Sequence, residues 1–170
     1  MVQAKENQPR RLKQLAIFLG IAEAIRQSVA SVELYAQDPA FTRADEQLLA
    51  SLGIKVLRTS SLSDLGEAGA IIDSSTLVYS PFLTVDAYEL LLSGKKAANL
   101  VIGDDFEALQ QKWPKHSAEK HQVDELVKSS VTKYQRRIVK GAGFWDIEDK
   151  SFPLALYRLE DKRIEHRSRL

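Results

Sequence analysis

Apolar residues recur along this chain in two periods, and their alternation lays out the elements. Leu12, Leu15, Ala16, Leu19, Ala22, Ile25 and Val29 fall on one helical face, with Arg11, Lys13, Glu23 and Arg26 between them. Pro9 suits the opening of that amphipathic helix, and Gly20 is a mild weakness in it. Val32 to Ala36 is short, apolar and rich in strand formers. Thr42 with Asp45 three residues later is a variant of the capping box. Leu48, Leu49 and Leu52 are then expected to face inward, and Gly53 stops the helix where a left-handed cap is wanted. Ile54 to Leu57 is the next predicted strand, completing a strand–helix–strand crossover.

Arg58 to Ser75 is polar and reads as a surface connection in which "IID" adds a turn or a short strand. Thr76 to Tyr79 is a third strand, ended by Ser80-Pro81, because proline cannot continue a central ladder. Thr84 or Asp86 starts a helix through Leu92, closed by Gly94. Asn99 to Ile102 is a fourth strand, and Gly103-Asp104-Asp105 leads into a helix over 106–112, stopped by Trp113-Pro114. From Glu119, the positions Val123, Leu126, Val127, Ser130, Val131 and Tyr134 predict one further helix that finishes in "KYQRRIVK" and breaks at "GAGF". Pro153 precedes "LALYRL", an expected edge strand, and "EDKRIEHRSRL" reads as a solvated tail.

Alternating strands and helices predict an α/β fold, a Rossmann-like three-layer sandwich with a mostly parallel sheet of four to five strands. The organisation expected is a flexible segment over 1–9, a single α/β domain over 10–157 and a charged tail over 158–170. Ligands of such sheets bind beyond the carboxyl ends of the strands, which selects the loops Gln37–Thr42, Ser80–Thr84 and Gly103–Phe106.

Composition narrows the chemistry. The chain has 170 residues, 24 basic and 23 acidic side chains and a net charge of +1, so no global field favours nucleic acid or an acidic membrane. Cysteine is absent, which excludes disulfides, thiolate catalysis and cysteine zinc sites and fits a reducing compartment. His116, His121 and His166 are dispersed through polar sequence. No apolar run approaches the roughly 20 residues of a membrane span, and no secretory signal is expected in "MVQAKENQPRR".

Asp38 follows a strand, where the ribose-binding acid of a nucleotide-binding sheet stands, since a carboxylate can accept from both ribose hydroxyls. Pro39 restrains it to an extended shape, and Asp-Pro is also ordinary turn chemistry. Gln37, Pro39 and Phe41 belong to the same candidate surface. Gly103-Asp104 with Asp105 could hold a ligand or a divalent metal, or cap the following helix. Ser80, Pro81 and Phe82 could line the same crevice or form a plain strand exit. Neither GxGxxG nor GxxxxGK[ST] occurs, so phosphate cradling has no visible provider and no cofactor is assigned. Lys128, Lys133, Arg136, Arg137 and Lys140 cluster towards one predicted helix end, as a solvated face or an RNA contact. No serine, histidine and acid form a nucleophile motif.

The words "YAQDPAFTRADEQLLASLGIKVL", "STLVYSPFLTVDAYELLL" and "NLVIGDDFEAL", in this order, resemble the SRR-like domain, named for sensitivity to red light reduced. The resemblance spans about Arg11 to Lys112. It implies a regulatory protein of circadian-clock, light or stress signalling, found in cytoplasm and nucleus and acting through protein partners without catalysis. The chain departs from that pattern before its first helix, where family members carry a strand and a small-residue loop. A sheet lacking that strand would expose an edge, from which a homodimer is expected. The alternative reading is a nucleotide or S-adenosylmethionine binder, with transferase activity as one form.

Overall fold

The computed structural model describes residues 8–93, 97–139 and 153–160. They divide into two compact units, 1–57 and 58–170. The sequence expectations for the first seven residues, for Gly94, for Lys140 and "GAGF", and for the last ten residues lie outside the described residues.

In the first unit, helix α1 (Gln8–Arg26) is followed by strand β1 (Leu34–Ala36), helix α2 (Arg43–Ser51) and strand β2 (Ile54–Val56). β1 and β2 pair in parallel, with Leu34 opposite Ile54. Ala22, Leu34, Leu49 and Ile54 form the core, and Leu15, Phe18, Leu19, Phe41 and Val56 pack against it. The α2 entry follows the sequence. Thr42 accepts from the Asp45 N–H at 3.3 Å, while the Asp45 carboxylate accepts from the Thr42 N–H at 2.8 Å. The Thr42 N–H and the Thr42 hydroxyl both donate to the Asp45 carboxylate and hold it below its ordinary range, the backbone bond first. Gly53 takes φ +74° just past the helix end, a left-handed position that favours glycine. Of the three leucines expected inside, only Leu49 is buried; Leu48 and Leu52 are exposed.

The second unit runs α3 (Ala68–Ile71), β3 (Leu77–Ser80), α4 (Val85–Ser93), β4 (Leu100–Asp104), α5 (Phe106–Lys112), α6 (Ala118–Ser129), a 3-10 turn (Val131–Lys133), β5 (Tyr134–Ile138) and β6 (Leu154–Leu159). Its strands lie in the order β3-β4-β6-β5. Only β3 and β4 are parallel, and β6 is antiparallel to both its neighbours. The class is therefore α/β, but the expected mostly parallel sheet is corrected to a mixed one.

Two misreadings lie behind that correction. The apolar spacing from Val123 to Tyr134 predicts one helix, yet α6 ends at Ser129. Ser129 and Ser130 stand where it stops, and Ser130 leaves helical geometry at φ −130°. Short hydroxyl side chains compete with the backbone for hydrogen bonds, and the Thr132 hydroxyl donates to the Lys128 carbonyl there. "YQRRI" is consequently strand, so Arg136 and Arg137 do not lie at a helix end. "LALYRL" is not an edge: β6 sits between β4 and β5, with Leu154, Ala155 and Tyr157 all buried. Its nearly unbroken apolar run is what a strand covered on both faces requires.

Candidate functional site at the strand exits

The first strand exit is local. At the end of β1, the Phe41 N–H donates to the Asp38 carbonyl at 3.2 Å, and the Ala40 N–H donates to the Asp38 carboxylate at 2.8 Å. Asp at the first and Pro at the second position of a β-turn is favoured chemistry: Pro39 presets φ, and the aspartate side chain copies a backbone acceptor. Gln37 is half-buried and Pro39 exposed. Phe41 turns to the core of its unit rather than outward.

The second strand exit is tertiary. Ser80 ends β3 directly opposite Gly103 of β4, and Tyr88 of α4 stands over both. Its hydroxyl donates to the Ser80 carbonyl at 2.7 Å and accepts from the Asp104 N–H at 2.9 Å. A Cβ on residue 103 would lie 2.8 Å from that hydroxyl, so the close approach of the tyrosine requires glycine. The Asp104 carboxylate, 4% exposed, accepts the Phe82 N–H with both oxygens, at 3.1 and 3.2 Å. Phe82 follows Pro81 and takes φ +66°, uncommon for a bulky residue.

Asp105 engages different partners. It caps α5 by accepting the Glu107 N–H at 3.2 Å. Arg136 of β5 grips it at both oxygens, Nε at 2.8 Å and Nη2 at 2.7 Å, and reaches Glu107 at 2.9 Å through Nη1. The fork geometry of guanidinium on carboxylate is the strong form of this pair. The Asp105 bond raises the Arg136 pKa further above its ordinary value. Beneath, the Phe106 N–H donates to the Tyr157 hydroxyl at 2.9 Å. Phe106 meets Tyr88 edge-on at 4.9 Å and Tyr157 at 5.2 Å. Burial pushes the Tyr88 and Tyr157 hydroxyls well above their usual range, so both remain protonated donors at neutral pH.

Ser80, Pro81, Gly103 and Asp104 thus come together in the second unit, whereas Gln37, Asp38, Pro39 and Phe41 form a turn of the first. Sequence reasoning missed Tyr88 and Tyr157, and it placed Arg136 in a basic helix end rather than beside Asp105. A glycine directly before a paired acid signals a close approach, but only the folded sheet shows that Tyr88 makes it. A depression of about 190 Å³ is lined by Phe106, Glu107, Val131, Tyr134, Arg136 and Tyr157 among others. It is smaller than the roughly 300–1,000 Å³ of ligand pockets, and the guanidinium within it is already matched by two carboxylates. Among the described residues no three histidine or acidic side chains group to hold a metal ion, and no described helix is long and apolar enough to cross a membrane.

A family model described as the SRR1 domain matches residues 5–159, most of the chain and both compact units. No curated protein and no solved structure gave a match.

Proposed function

The chain belongs to the SRR1 domain family, and from that premise we propose that it is a non-enzymatic regulatory protein that works by binding protein partners in circadian-clock, light or stress signalling. The compartments that go with this reading are cytoplasm and nucleus. One observation carries it: the acids at the β4 exit are engaged in holding the fold. Asp104 and Asp105 are each 4% exposed, one fastened to the Phe82 N–H and the other to Arg136. A general acid or a metal ligand has to reach a substrate or ion, and these carboxylates face their own backbone and β5 instead. What the β3 exit turns outward is an aromatic side chain, Phe82, 37% exposed.

The surfaces assigned to partners are the Gln37–Thr42 turn and the Ser80–Thr84 turn, each on its own unit. Self-association belongs to the same reading, since the strand order leaves β3 and β5 as the edges of their sheet. Light scattering that gives a monomer at high concentration removes that part.

The test is affinity capture with the wild-type chain and with alanine substitutions in each turn. Loss of specific partners from the substituted chains is expected. If every partner and every phenotype survives both sets, the regulatory reading fails. A thermal-shift screen with nucleotides and S-adenosylmethionine addresses the competing ligand reading. A shift that disappears in Asp38→Ala would replace the proposal.

A further inference from the structure

Charge is unevenly distributed along the second unit. From Thr59 to Ser93 the chain has no lysine, arginine or histidine, while Asp64, Glu67, Asp73, Asp86 and Glu89 give it five acids, in a molecule whose net charge is +1. Asp64, Asp86 and Glu89 are exposed and make no ion pair within the described residues.

Leu62, at 60%, and Phe82, at 37%, are among the exposed apolar side chains of this acidic stretch. They belong to adjoining loops, because the Thr84 hydroxyl donates to the Leu62 carbonyl at 3.0 Å. Phe82 is held in place by the buried Asp104 carboxylate beneath its N–H, at a left-handed φ of +66°. A bulky residue persists in that region only when its surroundings impose it, and such strain concentrates where a surface is put to use. An aromatic carried on a backbone fixed in advance loses less freedom on binding, which favours an interface anchor.

Resting on the partner-binding reading above, we infer that the Leu62–Phe82 surface docks a lysine- or arginine-rich protein segment carrying bulky apolar anchors. The apolar side chains of the segment cover Phe82 and Leu62, and its cations meet Asp64, Asp86 and Glu89. Complementary charge of this kind mainly speeds encounter and selects the partner, while the aromatic contact holds it. An acidic or neutral segment would gain nothing from the rim.

The probe is a short fluorescent amphipathic peptide bearing lysine, arginine, leucine and phenylalanine, beside a counterpart with glutamate at every basic position. Binding is read by anisotropy on the full chain at low and raised salt. The basic peptide should bind and the acidic one should not. Phe82→Asn deletes the ring while keeping a residue that tolerates positive φ, and should weaken binding about tenfold. Leu62→Ser, at an exposed site, should weaken it as well. The double substitution Asp64→Lys with Asp86→Lys should weaken it about tenfold at low salt and flatten the salt dependence. Circular dichroism of each variant checks that it is folded.

Equal binding of the two peptides, or binding unchanged in Phe82→Asn and in the charge reversal, overturns the inference. If cellular partners are captured through Ser80–Thr84 while the basic peptide does not bind, the docking chemistry is wrong and the regulatory reading stands. If the peptide binds as described but no cellular partner depends on either turn, the surface stands and the regulatory reading falls.

Discussion

Two strands of this molecule run out into acids, and the two exits are built to different standards. After β1, Asp38 spends its carboxylate on a neighbour two residues away and closes a turn with Pro39. At the end of β4, Asp104 reaches Phe82 across a separation of 22 residues, and Asp105, just past it, reaches Arg136 across 31. The first exit draws its geometry from adjacent residues. The second draws it from α4, β5 and β6 together, and an acid there is part of the core of its unit. Position at a strand end, which makes both acids attractive as ligand groups, does not tell them apart. The distance to the partner does.

The sharpest break of that contrast is Arg136→Met. It leaves Asp105 buried without its cation, and removing one member of a buried ion pair costs about 3–5 kcal/mol. Urea denaturation followed by tryptophan fluorescence measures the loss. Tyr88→Phe should come next, at about 1–3 kcal/mol, since both the Ser80 carbonyl and the Asp104 N–H lose a buried partner. Asp38→Ala touches only a local turn and should cost about 0.5–1 kcal/mol. A loss as large as that of Arg136→Met would show that the β1 exit carries tertiary load after all.

Tyr79→Phe should be neutral or slightly stabilising by thermal melting. The Tyr79 hydroxyl is buried without a hydrogen-bond partner among the described residues, and burial alone raises its pKa to about 12. The smallest effect is expected at the exposed Asp45. Its folded-state pKa is depressed, so its contribution is present above the ordinary carboxylate range and is lost as pH falls through the folded value. Melting temperature plotted against acidic pH should flatten in Asp45→Asn.

These differences also mark what could be read in the sequence. The Thr42–Asp45 box, the Gly53 stop, the Asp-Pro turn and the acid-capped start of α5 all rest on residues within a few positions of each other, and each is found as expected. The failures are non-local. Nothing near Leu154 announces that β6 returns antiparallel between β4 and β5, and a helical spacing through Tyr134 conceals the strand that supplies Arg136. Of the candidate site, Asp104 and Gly103 were legible as special positions. That Phe82 and Tyr88 are their partners was not, because strand pairing and helix docking bring them in.

The central claim is that the acids at the β4 exit hold the fold rather than a ligand, and a double-mutant cycle on Asp105→Asn and Arg136→Met tests it most directly. Equilibrium unfolding of the four chains should give a coupling of about 2 kcal/mol, as expected for two residues in one buried pair. Additive effects within about 0.5 kcal/mol, the margin for independent sites, would contradict the account and return Asp105 to the list of groups free to bind something else.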